Sequence, residues 1–251
     1  RDLDLSTRST TVFRRAFPHR VPTVDRIAVK GQQCSDIDRT APTGQNRPMA
    51  LMSFPSRLES LAAADPDRTA VSCLGESLTR RELQSAGTRL ARELQDLGVG
   101  HSDFVTVALP NSVDWFIAYV ACWMIGAVPQ PTSAKLPPRE LADIVELAGS
   151  KVVLGAPDAA HELFAEGTAT LPLGHRPDAG ISDELLRDAT SPAWKAPTSG
   201  GSTGRPKLIV SGDPATYDTA ADLPLGLQAD GAMMMPGPLY HNGPFWFSLN
   251  S

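Results

Sequence analysis

The residues best suited to chemistry lie together in the stretch Ala196 to Lys207, which reads APTSGGSTGRPK. Thr198, Ser199, Gly200, Gly201, Ser202, Thr203 and Gly204 follow one another with no acidic residue among them. Glycines remove side chains and permit positive φ, so successive backbone N–H groups can converge on one anion. The hydroxyls add short donors, and Lys207, beyond a proline that stiffens the exit, adds a mobile cation suited to phosphate. The set makes a cradle for a polyphosphate. The competing reading is a solvent-exposed linker, but linkers seldom leave through Pro-Lys directly into an apolar run such as Leu208-Ile209-Val210. Two commoner phosphate motifs are excluded. Gly204 is followed by Arg205-Pro206 rather than the Lys-Ser/Thr of a Walker loop, and the adjacent Gly200 and Gly201 break the GxGxxG spacing.

Such a loop needs a rigid frame, and the sequence before it supplies one. Thr69 to Leu74 reads as a strand. Thr79 and Glu82 form a capping box, after which Leu83, Ala86, Leu90, Ala91 and Leu94 recur at helical spacing until Gly98 ends the run. Phe104 to Leu109 is a strand, and Asn111 or Ser112 caps the apolar helix that follows. Val128 to Gln130 reads as a strand, Pro138 to Leu147 as a helix, Lys151 to Gly155 as a strand, and Ala159 to Ala165 as a helix. Strands alternating with helices imply crossover connections, hence an α/β fold with mainly parallel sheets covered by helices on both faces. After the loop, the apolar start of Met233 to Phe247 predicts a strand, and Asn242-Gly243-Pro244 predicts a turn into a helix.

Composition narrows the function classes. The chain has 251 residues and a formal charge of −5, without the basic balance expected of a nucleic-acid surface. Cys34, Cys73 and Cys122 have neither CxxC nor metal-ligand spacing, which predicts unpaired thiols in a reducing compartment, the cytoplasm by default, and no metal site. The apolar run Trp115 to Val128 falls short of the roughly 18–20 residues a membrane span requires and reads as a buried helix. Residues 1–48 are rich in Arg, Ser, Thr and Pro, and read as a disordered or non-native leader, with an organellar transit peptide as the alternative. The folded protein is expected to open near Met49 or Met52.

The segment TSGGSTGRPK resembles the glycine-rich signature of the adenylate-forming (AMP-binding) superfamily, which includes acyl-CoA synthetases, fatty acyl-AMP ligases, peptide-synthetase adenylation domains and luciferases. Leu78 to Leu83 resembles the family's L-T-x-x-E-L helix start, Ala121 to Pro131 its G-A-x-x-x-P segment, and Leu239 to Phe245 (LYHNGPF) the acyl-CoA synthetase form of a later segment. The resemblance runs over residues 52–251. It implies a reaction in which a small-molecule carboxylic acid and Mg2+-ATP give an acyl-adenylate and pyrophosphate, with coenzyme A as the usual acceptor. It assigns Thr198 to Gly204 to the β- and γ-phosphates, Lys207 to loop support or phosphate contact, and His241 to the neighbourhood of the activated carboxylate. An imidazole there would orient a carboxylate oxygen; the bland reading is a histidine that satisfies a turn. Tyr240, Phe245 and Trp246 read as core, and His19, His101, His161 and His175 as solvent-facing. The family's adenine and magnesium segment, ribose-binding Asp, hinge and C-terminal domain with its adenylation Lys have no counterpart up to Ser251. The expectation is therefore a partial N-terminal domain that is inactive alone. A non-catalytic nucleotide-binding module and a fatty acyl-AMP ligase that bypasses coenzyme A are the alternatives.

Overall fold

The computed structural model describes residues 50–199, 206–220 and 231–249, so the expected leader lies outside the described residues. Strand β1 (Leu51–Ser53) leads directly into helix α1 (Phe54–Ala64), whose start is capped by Ser53 Oγ accepting from the Ser56 N–H at 3.1 Å. Strands β2 (Thr69–Cys73) and β3 (Glu76–Thr79) form an antiparallel hairpin. Helix α2 (Arg80–Asp96) begins on the expected capping box. The Glu82 N–H donates to Thr79 Oγ1 at 3.2 Å, and the Thr79 N–H donates to the Glu82 carboxylate at 2.8 Å. A cap of this kind stabilises a helix by about 1 kcal/mol. Leu83, Leu90, Ala91 and Leu94 form the buried stripe of α2.

The frame follows as β4 (Phe104–Val107), α3 (Val113–Met124), β5 (Val128–Pro131), α4 (Pro138–Ala148), β6 (Val152–Leu154), the short α5 (Asp158–His161) and β7 (Ala169–Leu171). The four strands pair in parallel in the order β5-β4-β6-β7. Period-two alternation sorts their side chains. Val105, Val107, Val152 and Leu154 face α2 and α3, while Val153 packs with Leu141, Val145 and Ala160 of α4 and α5 on the opposite face. Ser112, rather than Asn111, caps α3, accepting from the Trp115 N–H at 3.3 Å. The apolar run Trp115 to Val128 is divided into α3 and β5 by Gly126 at φ +72, a left-handed turn that suits glycine. Helix α5 ends at His161, short of the expected Ala165.

The remaining elements are β8 (Thr198–Ser199) and β9 (Lys207–Leu208), an antiparallel pair, β10 (Thr216–Asp218), which pairs with β1, and helix α6 (Asn242–Leu249). The strand expected to start at Met233 is not formed; residues 231–238 are irregular. Pro236 and Pro238 lack the N–H groups that a ladder would need at alternate positions. Helix α6 docks through Phe245 into a stripe on α3 spaced at i, i+4 and i+8: Trp115, Tyr119 and Trp123. Trp115 and Tyr119 stack with centroids 3.9 Å apart, and Phe245 meets Tyr119 edge-on at 4.4 Å.

Two further expectations are corrected. Trp246 is 37% exposed, because its neighbour Phe245 takes the inward face and the next helical position turns about 100° away. His175 is not solvent-facing: its N–H closes a turn on the Pro172 carbonyl, and its Nε2 lies 2.8 Å from Glu93 Oε2 on α2. Among the described residues no helix is long and apolar enough to cross a membrane.

Candidate active site

The parallel sheet sets the place for a site. From β4 the chain passes through α3 to β5 on one side, then through α4 on the other face to β6 on β4's far side. Where such a strand order reverses, the crevice at the carboxyl ends of the strands is open to a ligand. A cleft of about 520 Å³ lies there, floored by Pro131, Thr132 and Ser133 at the end of β5.

One wall carries part of the expected phosphate loop. Thr198 and Ser199 line the cleft, as does Pro206. Their strand is fixed from below: the Ala196 N–H donates to the Pro129 carbonyl at 2.9 Å, and the Ile209 N–H to the Pro197 carbonyl at 2.8 Å. Leu208 and Ala196 are buried beside Val128 and Ala148, so the apolar exit run anchors the loop's base to the sheet. Lys207 stands opposite Ser199 in the β8–β9 pair, exposed and outside the cleft lining. Gly200, Gly201, Ser202, Thr203 and Gly204 lie outside the described residues.

The second wall carries the segment expected to meet the acid. His241 and Tyr240 line the same cleft, their ring centroids 4.3 Å apart. The His241 N–H closes a turn on the Pro238 carbonyl at 3.1 Å, and its own carbonyl accepts from the Phe245 N–H at 3.3 Å as α6 begins. Tyr240 is thus half-buried in the cleft wall rather than in the core, whereas Phe245 is core. Thr198, Ser199 and His241, distant in sequence, are brought to one cavity.

The third wall is α4, with Leu136 ahead of it and Glu140, Asp143 and Ile144 on it. Two carboxylates on that wall repel an anion, which leaves the hydroxyl-bearing β8 side as the one expected to face phosphate. The sequence reading missed Thr132, Ser133 and the α4 wall. Their signal was the end of β5 next to a reversal of strand order, which becomes visible only once the strands are paired. Among the described residues no cluster of three His, Cys, Asp or Glu side chains is placed to hold a metal ion.

A further buried group borders this region. Lys195 is 4% exposed, and its Nζ donates to Asn242 Oδ1 at the start of α6. It sits 4.0 Å from the Trp194 ring centroid, and burial lowers its pKa from 10.5 to about 7.

A family model described as AMP-binding enzyme matches residues 58–250. The chain belongs to this family. Relatives in the family include a 4-coumarate–CoA ligase of Oryza sativa subsp. japonica, 26% identical over 75% of the chain and 42% of that protein. A probable non-canonical nonribosomal peptide synthetase of Salinispora arenicola is 28% identical over 73% of the chain and 3% of that protein. The family so defined therefore takes in both CoA ligases and peptide synthetases. The N-terminal domain of FACL13 from Mycobacterium tuberculosis superposes with a TM-score of 0.54 at 22% identity, covering 63% of the chain and 44% of that one, and supports the fold. The chain spans about two fifths of the length of the rice ligase.

Proposed function

We propose that this AMP-binding chain is the part of an acid–thiol ligase, of acyl-CoA synthetase type, that grips the polyphosphate of ATP and admits the carboxylic acid. The observation that carries the reading is the shared cleft: Thr198 and Ser199 from the loop face His241 from the acid-side segment across one cavity of about 520 Å³. ATP supplies the α-phosphorus that a carboxylate oxygen attacks, pyrophosphate leaves with the bonding pair, and the thiol of coenzyme A afterwards attacks the acyl carbon of the adenylate and displaces AMP. Thr198 to Gly204 donate to the β- and γ-phosphates, where negative charge grows as pyrophosphate departs, so their donors act most strongly in the transition state. Lys207, opposite Ser199, either stiffens the loop or reaches the phosphates from outside the cleft. His241 orients a carboxylate oxygen of the acid. Magnesium arrives with ATP and is assigned to no residue of this chain. The LYHNGPF segment supports the CoA-ligase branch over the peptide-synthetase branch, and the unpaired thiols Cys73 and Cys122 agree with work in the cytoplasm.

The test is acid-dependent ATP–pyrophosphate exchange by this chain joined to the remaining C-terminal part of the rice ligase, with 4-coumarate among the acids. The double variant Thr203→Ala/Lys207→Ala should lose on the order of 10²–10³ in exchange rate, the usual cost of removing donors from developing charge. His241→Ala should raise the KM for acid and leave the KM for ATP alone. Exchange near the unsubstituted level in the double variant would reduce the loop to a connector.

A further inference from the structure

The segment that carries His241 is irregular, yet it is held at both ends by side chains rather than by a strand partner. Asn111, just before α3, uses both ends of its amide. Its Nδ2 donates to the Gly237 carbonyl at 2.9 Å, and its Oδ1 accepts from the Leu239 N–H at 2.9 Å. In this way it pairs two backbone groups, at Gly237 and Leu239, that have no strand partner. At the other end, Lys195 donates to Asn242, the residue after His241. Lys195 also precedes Ala196, whose N–H is fixed to β5, and lies three residues before Thr198.

We propose that Asn111 and Lys195 are positioning residues that clamp the segment Gly237–Asn242, and with it His241, against the strand that carries Thr198 and Ser199. The role of His241 in this statement rests on the function proposed above. The chemistry of Lys195 supports the assignment. A buried amine beside the faces of Trp194 and Phe245 has no carboxylate among these contacts, so an apolar side chain of equal length would fill the space at lower cost. What the amine adds is one directional bond, and that bond ends on Asn242. Anchors two residues before and one residue after His241 fix its Cα from both sides. The strand carrying Thr198 and the turn carrying His241 thereby share one rigid link, and a reacting carboxylate between them needs such a fixed separation.

The experiment uses the full chain of 251 residues and four variants: Lys195→Met, Asn242→Leu, Asn111→Ala and Asn242→Asp, the last of which keeps an acceptor for the amine. Hydrogen exchange is read at the Leu239 and His241 amides, and binding of ATP and of 4-coumarate is titrated separately by calorimetry. Lys195→Met, Asn242→Leu and Asn111→Ala should each speed exchange at these amides by about tenfold or more, equivalent to about 1.4 kcal/mol. Each should weaken 4-coumarate by a similar factor while ATP affinity stays within about twofold, a split that general loosening of the fold would not produce. Asn242→Asp should retain both properties, and the double variant Lys195→Met/Asn242→Leu should be no worse than the weaker single one. Unchanged exchange in Lys195→Met overturns the clamp, as does an equal loss of ATP and acid. If the unsubstituted chain binds neither ligand, the joined chain decides the proposed function and exchange alone decides the clamp: faster exchange restored by Asn242→Asp upholds it, and unchanged exchange refutes it.

Discussion

The two sides of the cleft are held by different physics. On the sheet side, β4, β5 and β6 are enclosed by helices on both faces, and Val105, Val107, Val128, Val152 and Val153 are almost fully buried. Position there follows from packing, a non-directional force shared over many contacts, so the loss of one contact is spread among the rest. On the acid side, residues 231–241 have no strand partner, and their place depends on Leu239, buried in the main core, on a few directed bonds from Asn111 and Lys195, and on the anchor of Phe245. Each of those bonds has no substitute. The difference teaches where stability and ligand geometry separate: damage to the sheet should cost folding energy, and damage to the acid-side segment should cost alignment.

Leu94→Ala is the strongest way to sharpen this comparison. Leu94 is 0% exposed on α2 and packs into the main core, so its truncation should cost about 2–5 kcal/mol in urea unfolding. The fraction still folded should bind ATP and acid with unchanged affinity. A specific loss of acid affinity in this variant would break the division between the two sides. Gly155→Ala should act next in size. Gly155 sits after β6 at φ +80, and an added Cβ would lie 2.6 Å from the Ala108 carbonyl oxygen of the neighbouring chain segment. Left-handed strain and that backbone clash together should cost roughly 1–3 kcal/mol. The measured quantity is again the urea midpoint, and a change under about 0.5 kcal/mol, the usual range for a surface position, would contradict it.

The sheet side was legible in the sequence, whereas on the acid side only the helix opening at Asn242-Gly243-Pro244 was, for reasons that follow from the same contrast. Capping at Thr79, the apolar run from Trp115, and the strand runs from Phe104 and Lys151 are local patterns. Each specifies its element without knowledge of distant residues. The residue types of the glycine loop alone predict an anion cradle, and its described residues Thr198 and Ser199 line the cleft. The strand expected from Met233 failed because apolar content outweighed Pro236 and Pro238 in that reading. His175 failed because its partner Glu93 is 82 residues away. Lys195 carried no local signal at all: its contact with Asn242 spans 47 residues, and a lone lysine before a loop looks like any surface residue.

That buried lysine gives the last and smallest prediction, a pH dependence of the whole fold's stability that originates in one acid-side group. Burial lowers the Lys195 pKa from 10.5 to about 7 in the folded protein, while the unfolded chain keeps the ordinary value. Between these two pKa values the unfolded state binds the proton and the folded state does not, so stability rises with pH across that window. Below pH about 7 both states hold the proton and the dependence vanishes. Cys122 bounds the window from above. Burial raises its thiol pKa beyond the ordinary 9.0, a stabilising difference that is fully present below 9.0 and is lost as pH rises past it. The useful interval is therefore pH 7 to 8.5, in which one group dominates. Over the first unit of that interval the folded protein should gain about 1 kcal/mol, with a limiting slope of about 1.4 kcal/mol per unit. Lys195→Met should remove this rise, and Leu94→Ala should lower stability by the same amount at every pH in the interval. Urea midpoints at three pH values read the difference. A rise that persists in Lys195→Met would place its origin elsewhere and leave Lys195 charged in the folded state.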